Sequence, residues 1–226
     1  MIALLWVVAT VAVYLAARAL QARLGGHAAA NTVLSTAAAL VLLARATGTT
    51  HEQYQSGGKY LLWVLGPATV ALAVPLYEAL PALRKSLLPV AAALAAGSIT
   101  AVVSAVLIGK LLGAGPETLR SLAPKSVTTP IAMAIARAIG GAAPLAAVFV
   151  ILTGAVGALS GAGLLDRLGI RGARARGLAL GVAAHGMGTA RAFQLGAECG
   201  VFATLAMTLN GIATALLLPS LARLFQ

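Results

Sequence analysis

The sequence predicts an all-α protein that crosses a membrane repeatedly, and three observations carry that prediction. Only 9% of its 226 residues are charged and 60% are hydrophobic, with a mean hydropathy of +0.96, whereas soluble domains carry roughly 25% charged residues. Six runs lack Asp, Glu, Lys and Arg altogether: 1–17, 24–44, 60–77, 86–109, 138–165 and 199–222. Each is near or above the ~17–25 residues that a spanning helix needs. Finally, the basic residues stand between or just beyond these runs, as topology signals do. The net charge of +11 therefore orients the chain in a lipid bilayer, and no nucleic-acid partner is expected.

The first run, 1–17, has no basic residue ahead of it and is followed by Arg18 and Arg23. It reads as a retained helix with its N-terminus outside rather than as a cleaved leader. With Arg18 and Arg23 in the cytoplasm, Arg84 and Lys85 reach the same side after two more crossings. The second of those crossings contains Gly66-Pro67-Ala68-Thr69-Val70-Ala71-Leu72-Ala73-Val74-Pro75-Leu76-Tyr77. Pro67 and Pro75 each remove a backbone donor and are expected to bend the helix. Thr69, with the two prolines, is a candidate lining residue. Trp63 and Tyr77 fit interfacial anchoring.

After the fourth run the pattern changes. Charge-free stretches at 126–136 and 177–190 are only as long as re-entrant segments, and both carry polar motifs: Pro124-Lys125-Ser126-Val127-Thr128-Thr129-Pro130 and His185-Gly186-Met187-Gly188-Thr189-Ala190-Arg191. A bilayer tolerates such sequences where they are buried in protein or line a watery cavity. The cluster Arg167, Arg171, Arg174 and Arg176 stays cytoplasmic only if residues 116–138 enter from outside and turn back. That predicts a hairpin with a helix from Glu117 to Ala123, a break at 124–129 and a return helix from Pro130. The second motif has the same form: a helix after Arg176, a break at His185 to Gly188, and a new helix from Thr189. Residues 173–195 have two arrangements that satisfy the arginines. Re-entrance pairs 86–113 and hairpin one with 140–165 and hairpin two as an inverted repeat, a plan of secondary transporters; a full crossing leaves the C-terminus cytoplasmic. The expected architecture is thus about six full transmembrane helices plus two broken or re-entrant segments.

The chemistry of the breaks follows from residue order. Pro130 suits a first helical position, which makes Thr129 the expected N-cap. A helix N-terminus carries roughly half a positive charge and binds carboxylate or phosphate, and Lys125, Ser126 and Thr128 add a full charge and two hydroxyls. In the second motif Gly186 and Gly188 permit close backbone approach, and Thr189 is the expected cap of a helix bearing Arg191. His185 stands in its break either as a site residue or as the hydrogen-bond partner of a backbone carbonyl. His27 and His51 read as loop residues. Two positive helix ends facing one cavity would hold a small anion.

The acids Glu52, Glu78, Glu117, Asp166 and Glu198 all lie outside the long apolar runs, so a carboxylate-built cation site or proton relay has no support. One cysteine excludes an internal disulfide and three scattered histidines make no ligand set. No paired acids, nucleophile triad or metal motif is present, so no enzyme, cofactor or metal site is expected.

The Gly66–Tyr77 stretch, Pro124 through Ala134 and His185 through Arg191 occur in order and together closely resemble the LrgB/CidB family of antiholin-like membrane proteins. The resemblance covers nearly the whole chain and implies one membrane domain over 1–226 in a bacterial cytoplasmic (inner) membrane. It further implies a small LrgA-type membrane partner and control of murein hydrolase activity and autolysis. Plant plastid relatives exchange glycolate and glycerate, and some bacterial relatives are linked to pyruvate uptake. Joined to the residue-level reading, this predicts alternating-access transport of a small carboxylate of the glycolate, glycerate, pyruvate or lactate class. Residues 1–80 would form scaffold helices and 81–226 a core with both breaks. Holin-like oligomeric assembly without a specific substrate is the other reading. A homodimer is the expected assembly, because small transporters often gain a fixed scaffold that way.

Overall fold

The computed structural model describes residues 2–25, 30–71, 74, 77, 81, 84 and 87–221, with the side chains of 65, 66, 68, 69 and 71 left undescribed. Among the described residues there are nine helices and no strand: α1 (Ile2–Arg23), α2 (Thr32–Ala46), α3 (His51–Ala71), α4 (Leu87–Leu111), α5 (Pro116–Leu122), α6 (Thr129–Ala138), α7 (Ala143–Arg167), α8 (Ala173–Leu195) and α9 (Ala197–Leu221). Four of them, α1, α4, α7 and α9, are long and apolar enough to cross a membrane. The two remaining expected spans look different. α2 has 15 residues, below the usual spanning length, and α3 starts in the polar stretch His51-Glu52-Gln53-Tyr54-Gln55 and continues through Pro67. Thr69 and Pro75, two of the candidate lining residues, and His27 lie outside the described residues or side chains.

The chain forms two compact units, 1–74 and 75–226. In the first, local capping sets the helix starts. Asn31 Oδ1 accepts from the Val33 and Leu34 amides at the head of α2. Thr50 and Gln53 cap α3 reciprocally, with Gln53 N donating to Thr50 Oγ1 and Thr50 N to Gln53 Oε1, the pairing of a capping box. Trp6 of α1, 3% exposed, meets Tyr54 of α3 edge to face at 5.3 Å.

The second unit holds both polar motifs. α4 buries only Val90, Ala105 and Gly109, while Leu88, Ile99, Leu107 and Leu111 are exposed; in a chain this apolar, that surface is suited to lipid. α9 is the opposite, buried at Cys199, Gly200 and every position from Phe202 to Met207, as expected of a helix apolar all round. Lipid is as apolar as leucine, so association here rests on close packing and interhelical hydrogen bonds. The alanines and glycines of α7, α8 and α9 supply the first, and His185, Asn210 and Ser98 supply the second.

The segment after α4 is a hairpin. α5 folds back on α4, with Leu119 and Leu122 against Gly109, and the chain breaks at 123–128 before α6. After α6 it returns to α5. Gly141 sits so close to the Ser121 backbone that a β-carbon would lie 2.9 Å from the Ser121 nitrogen, and the Ala142 amide donates to Ser121 Oγ at 2.8 Å. α7 therefore starts at the base of this hairpin.

α8 is a second hairpin. Ala184 and His185 are non-helical (φ −130°, ψ 16° and φ 41°, ψ −132°), and the chain reverses there. Gly188 lies directly on the carbonyl of Leu180 and the methyl of Ala184, positions that a continuous helix would hold about 12 Å and 6 Å along its axis. Ala192 correspondingly packs in one buried cluster with Leu180, Leu165, Cys199 and Ala203. The ends agree. Arg176, early in α8, donates to Asp166 at the end of α7 (2.7 Å), and Arg174 pairs with Glu198 at the start of α9 (2.8 Å). The two hairpins thus enter from opposite ends of α7.

Candidate functional site

The hairpin tips are brought together by two helices that contact both. On α7, Val150 packs in the cluster containing Ala123 and Val127 of the first break and Ala132 of α6, and its carbonyl lies 2.9 Å from His185 Nε2 of the second. On α9, Met207 lies beside Gly186 and 3.8 Å from Thr189 Oγ1. One turn further, Asn210 Nδ2 donates to the Ser126 carbonyl at 3.1 Å and Gly211 abuts Ile131. Residues 207–211 are the middle of a 25-residue helix about 37 Å long, so the breaks meet near half depth of the unit.

The first break carries the accessible charge. Lys125 is half-buried and donates from Nζ to Ser126 Oγ at 3.2 Å; among the described residues no acid pairs with it. Lys125 and Ser126 line a cavity of about 800 Å³ walled by α4 from Pro89 to Ala101, by the first arm of α8 from Arg174 to Ala183, and by Phe202. Arg174 lies over the Phe202 ring at 5.4 Å, and Phe202 clusters with Val90 near the start of α4. Ser126 is tied through Asn210 to Ser98, in the middle of α4. The cavity therefore extends from the arginine-bearing end of the unit to Lys125 at its centre.

Several expectations need correction. The N-cap of α6 is Thr128, in extended conformation, and Thr129 is the first helical residue with exposed Pro130 following; the helix can start one residue early because proline is tolerated within the first turn, whose amides have no intrahelical acceptor. The Thr128 hydroxyl makes no capping bond. The second break falls at Ala184–His185, ahead of Gly186 and Gly188, which belong to the returning arm. Thr189 does not cap that arm: its hydroxyl donates back to the His185 carbonyl at 2.9 Å. Arg191 lies outside the cavity lined by Lys125, and its Nη1 donates to Gln194 Oε1 of its own arm.

His185 takes the backbone-carbonyl role. Its φ is the only positive one outside glycine among the described residues, a conformation that costs about 1–3 kcal/mol and persists where surroundings enforce it. They enforce it through the Val150 carbonyl, the Thr189 hydroxyl and the close fit of Gly154, whose missing side chain leaves room for the imidazole (a β-carbon there would be 2.6 Å from Cε1). Asn210 and Ser98 leave no mark in the charge pattern, and Arg174 reads there only as one of the cytoplasmic arginines. Asn210 was visible as the one amide side chain in the apolar run 199–222, but an uncharged residue leaves no mark on a pattern read from charges.

Comparison with known proteins bears on the whole chain. Residues 10–224 match the LrgB-like family. The Bacillus subtilis protein YwbG is 40% identical, over 91% of this chain and 91% of its own. Holin-like protein CidB of Staphylococcus epidermidis is 29% identical over 99% and 97%, and antiholin-like protein LrgB of Bacillus mycoides is 34% identical over 75% and 74%. No solved structure matches.

Proposed function

The chain belongs to the LrgB-like family, and from that premise we propose that it works in a holin- and antiholin-like system of the bacterial cytoplasmic membrane, where its own part is to move a small carboxylate across the bilayer. The first clause rests on the names of the relatives, CidB and LrgB. Those names bear on it more directly than on transport. The second clause rests on the site: Lys125, an ammonium without an acid partner among the described residues, stands where two broken helices meet and lines a cavity.

A cation placed in an apolar interior is costly unless something pairs with it, and a mobile anion entering the cavity supplies the pair. Ser126 adds a hydroxyl donor, and the unpaired amides at the head of α6 add the positive end of a helix. The body of the ligand is small or apolar, since Ala, Val, Gly and Leu make up most of the walls. With the arginine cluster cytoplasmic, the cavity opens inward, and α4 with the first hairpin is repeated in inverted orientation by α7 with the second. Alternating exposure would follow from movement of this core against residues 1–80 as scaffold, in a homodimer or with an LrgA-type partner.

The test is counterflow: uptake of labelled pyruvate, lactate, glycolate or glycerate into liposomes that contain the purified chain and are preloaded with the same unlabelled acid. Saturable, selective exchange supports the carrier reading. A leak of unrelated solutes that grows with protein density contradicts it and leaves the holin-like assembly reading, in which the chain oligomerises and has no substrate.

A further inference from the structure

Asn210 is 2% exposed in the middle of an apolar helix, where a primary amide is costly unless its hydrogen bonds are made. They are made, and two of the three leave the helix. Nδ2 donates to the Ser126 carbonyl at 3.1 Å, Oδ1 accepts from Ser98 Oγ of α4, and Thr214 Oγ1, one turn on, lies 3.5 Å from the same oxygen. The amide has one sensible orientation, because a carbonyl only accepts while hydroxyls can donate. Ser126 lies between α5 and α6, outside any helical ladder, so its carbonyl depends on an outside partner. Its own hydroxyl in turn accepts from Lys125 Nζ. A chain of contacts therefore runs from α4 through Asn210 to the backbone that carries the cavity's ammonium.

We propose that Asn210 is a positioning residue: it holds the Ser126 peptide so that Lys125 and Ser126 face the cavity, and so sets the affinity of the site without touching the ligand. This rests on the carboxylate reading above. A break with an unmet carbonyl samples other conformations, and a ligand that must order it binds more weakly. Asn210→Asp keeps the shape but turns a carboxylate oxygen toward the Ser126 carbonyl, removing the donor and repelling the backbone it held. Asn210→Ala removes the whole link, and Ser98→Ala only loosens it.

The experiment uses the full chain in liposomes with two readouts. Counterflow of labelled pyruvate and glycolate gives KM and maximal rate. Modification of Lys125 by an amine-acetylating reagent, measured by peptide mass spectrometry against Lys59 and Lys110, reports the site without any transport. Asn210→Asp and Asn210→Ala should raise KM about 10-fold, the effect of losing roughly one hydrogen bond's worth of preorganisation, with maximal rate within about 2-fold. Lys125 modification should change at least about 3-fold, and Ser98→Ala, the variant least at risk of misfolding, should shift KM about 3-fold in the same direction. Thr208→Ala, whose hydroxyl bonds to the Thr204 carbonyl of its own helix and to no other group among the described residues, should leave both readouts alone. Unchanged KM and unchanged Lys125 reactivity in the Asn210 variants overturn the proposal, as does a fall in maximal rate alone. If the wild-type chain shows no counterflow, the transport reading fails separately. Lys125 modification then decides whether Asn210 positions that side chain: a change upholds it and no change overturns it.

Discussion

The two breaks read alike in the sequence and are built differently. The first spreads its departure from helix over residues 123–128, with an extended Thr128, and has its backbone met from outside by Asn210. The second concentrates the departure in Ala184 and His185 and is held by contacts that lead back into its own hairpin and to α7: Thr189 to the His185 carbonyl, His185 to Val150, Gly188 on Leu180. The first presents a cation to a cavity; the second ties its histidine into the packing and turns Arg191 toward Gln194. A polar interruption in an apolar chain thus marks a place where the helix stops, while the partners of the freed groups decide whether it binds anything.

That contrast can be broken in graded ways. The largest effect should come from Gly188→Val, because the new side chain would occupy the Leu180 carbonyl and the Ala184 methyl; a loss of more than about 3 kcal/mol is expected where backbone cannot yield. Thermal unfolding in detergent reads it, with Gly163→Ala, inside α7 and with nothing within 4 Å, as the control that should lose no stability. Next in size, Lys125→Ala should weaken carboxylate affinity about 100-fold, the upper end for losing a charge-assisted hydrogen bond, while Arg191→Ala stays within about 3-fold of wild type. Equal effects in counterflow assays would restore the symmetric site that the sequence suggested.

Smaller effects separate strain from contact. His185→Ala and His185→Gly lose the same Val150 bond, but glycine tolerates the positive φ, so the glycine variant should unfold with about 1–2 kcal/mol more stability than the alanine variant. Matching stabilities would mean that the backbone relaxes once the imidazole is gone. Smallest of all, Thr128→Ala should cost less than about 0.5 kcal/mol, since its hydroxyl caps nothing, whereas Asn31→Ala at the bonded cap of α2 should cost about 1 kcal/mol.

Most of the helical plan was legible because charge and apolar length are local properties. The runs at 86–109, 138–165 and 199–222 correspond to α4, α7 and α9, and α5 and α6 begin within a residue of their expected starts. The short stretches also announced the breaks, since proline, glycine and hydroxyl residues in so apolar a chain have few other uses. What escaped depended on long-range packing. Thr189 looked like a cap, yet a hydroxyl one turn into an arm bonds the preceding carbonyl just as readily. Arg191 looked equivalent to Lys125, but its direction is set by how hairpin two packs on α9. Asn210 and Ser98 are 112 positions apart, and only the fold makes them one network.

Both hairpins turn back, from opposite ends of α7, and the shared site depends on that. Single cysteines at Gly172, Ala197, Gly115 and Ser220, labelled with a membrane-impermeant thiol reagent in oriented vesicles, test it directly; native Cys199 is buried and gives a low background. Positions 172 and 197 flank α8 and should label from one face, with 115 and 220 labelling from the other. Labelling of 172 and 197 from opposite faces would mean that α8 crosses the membrane and would contradict the account.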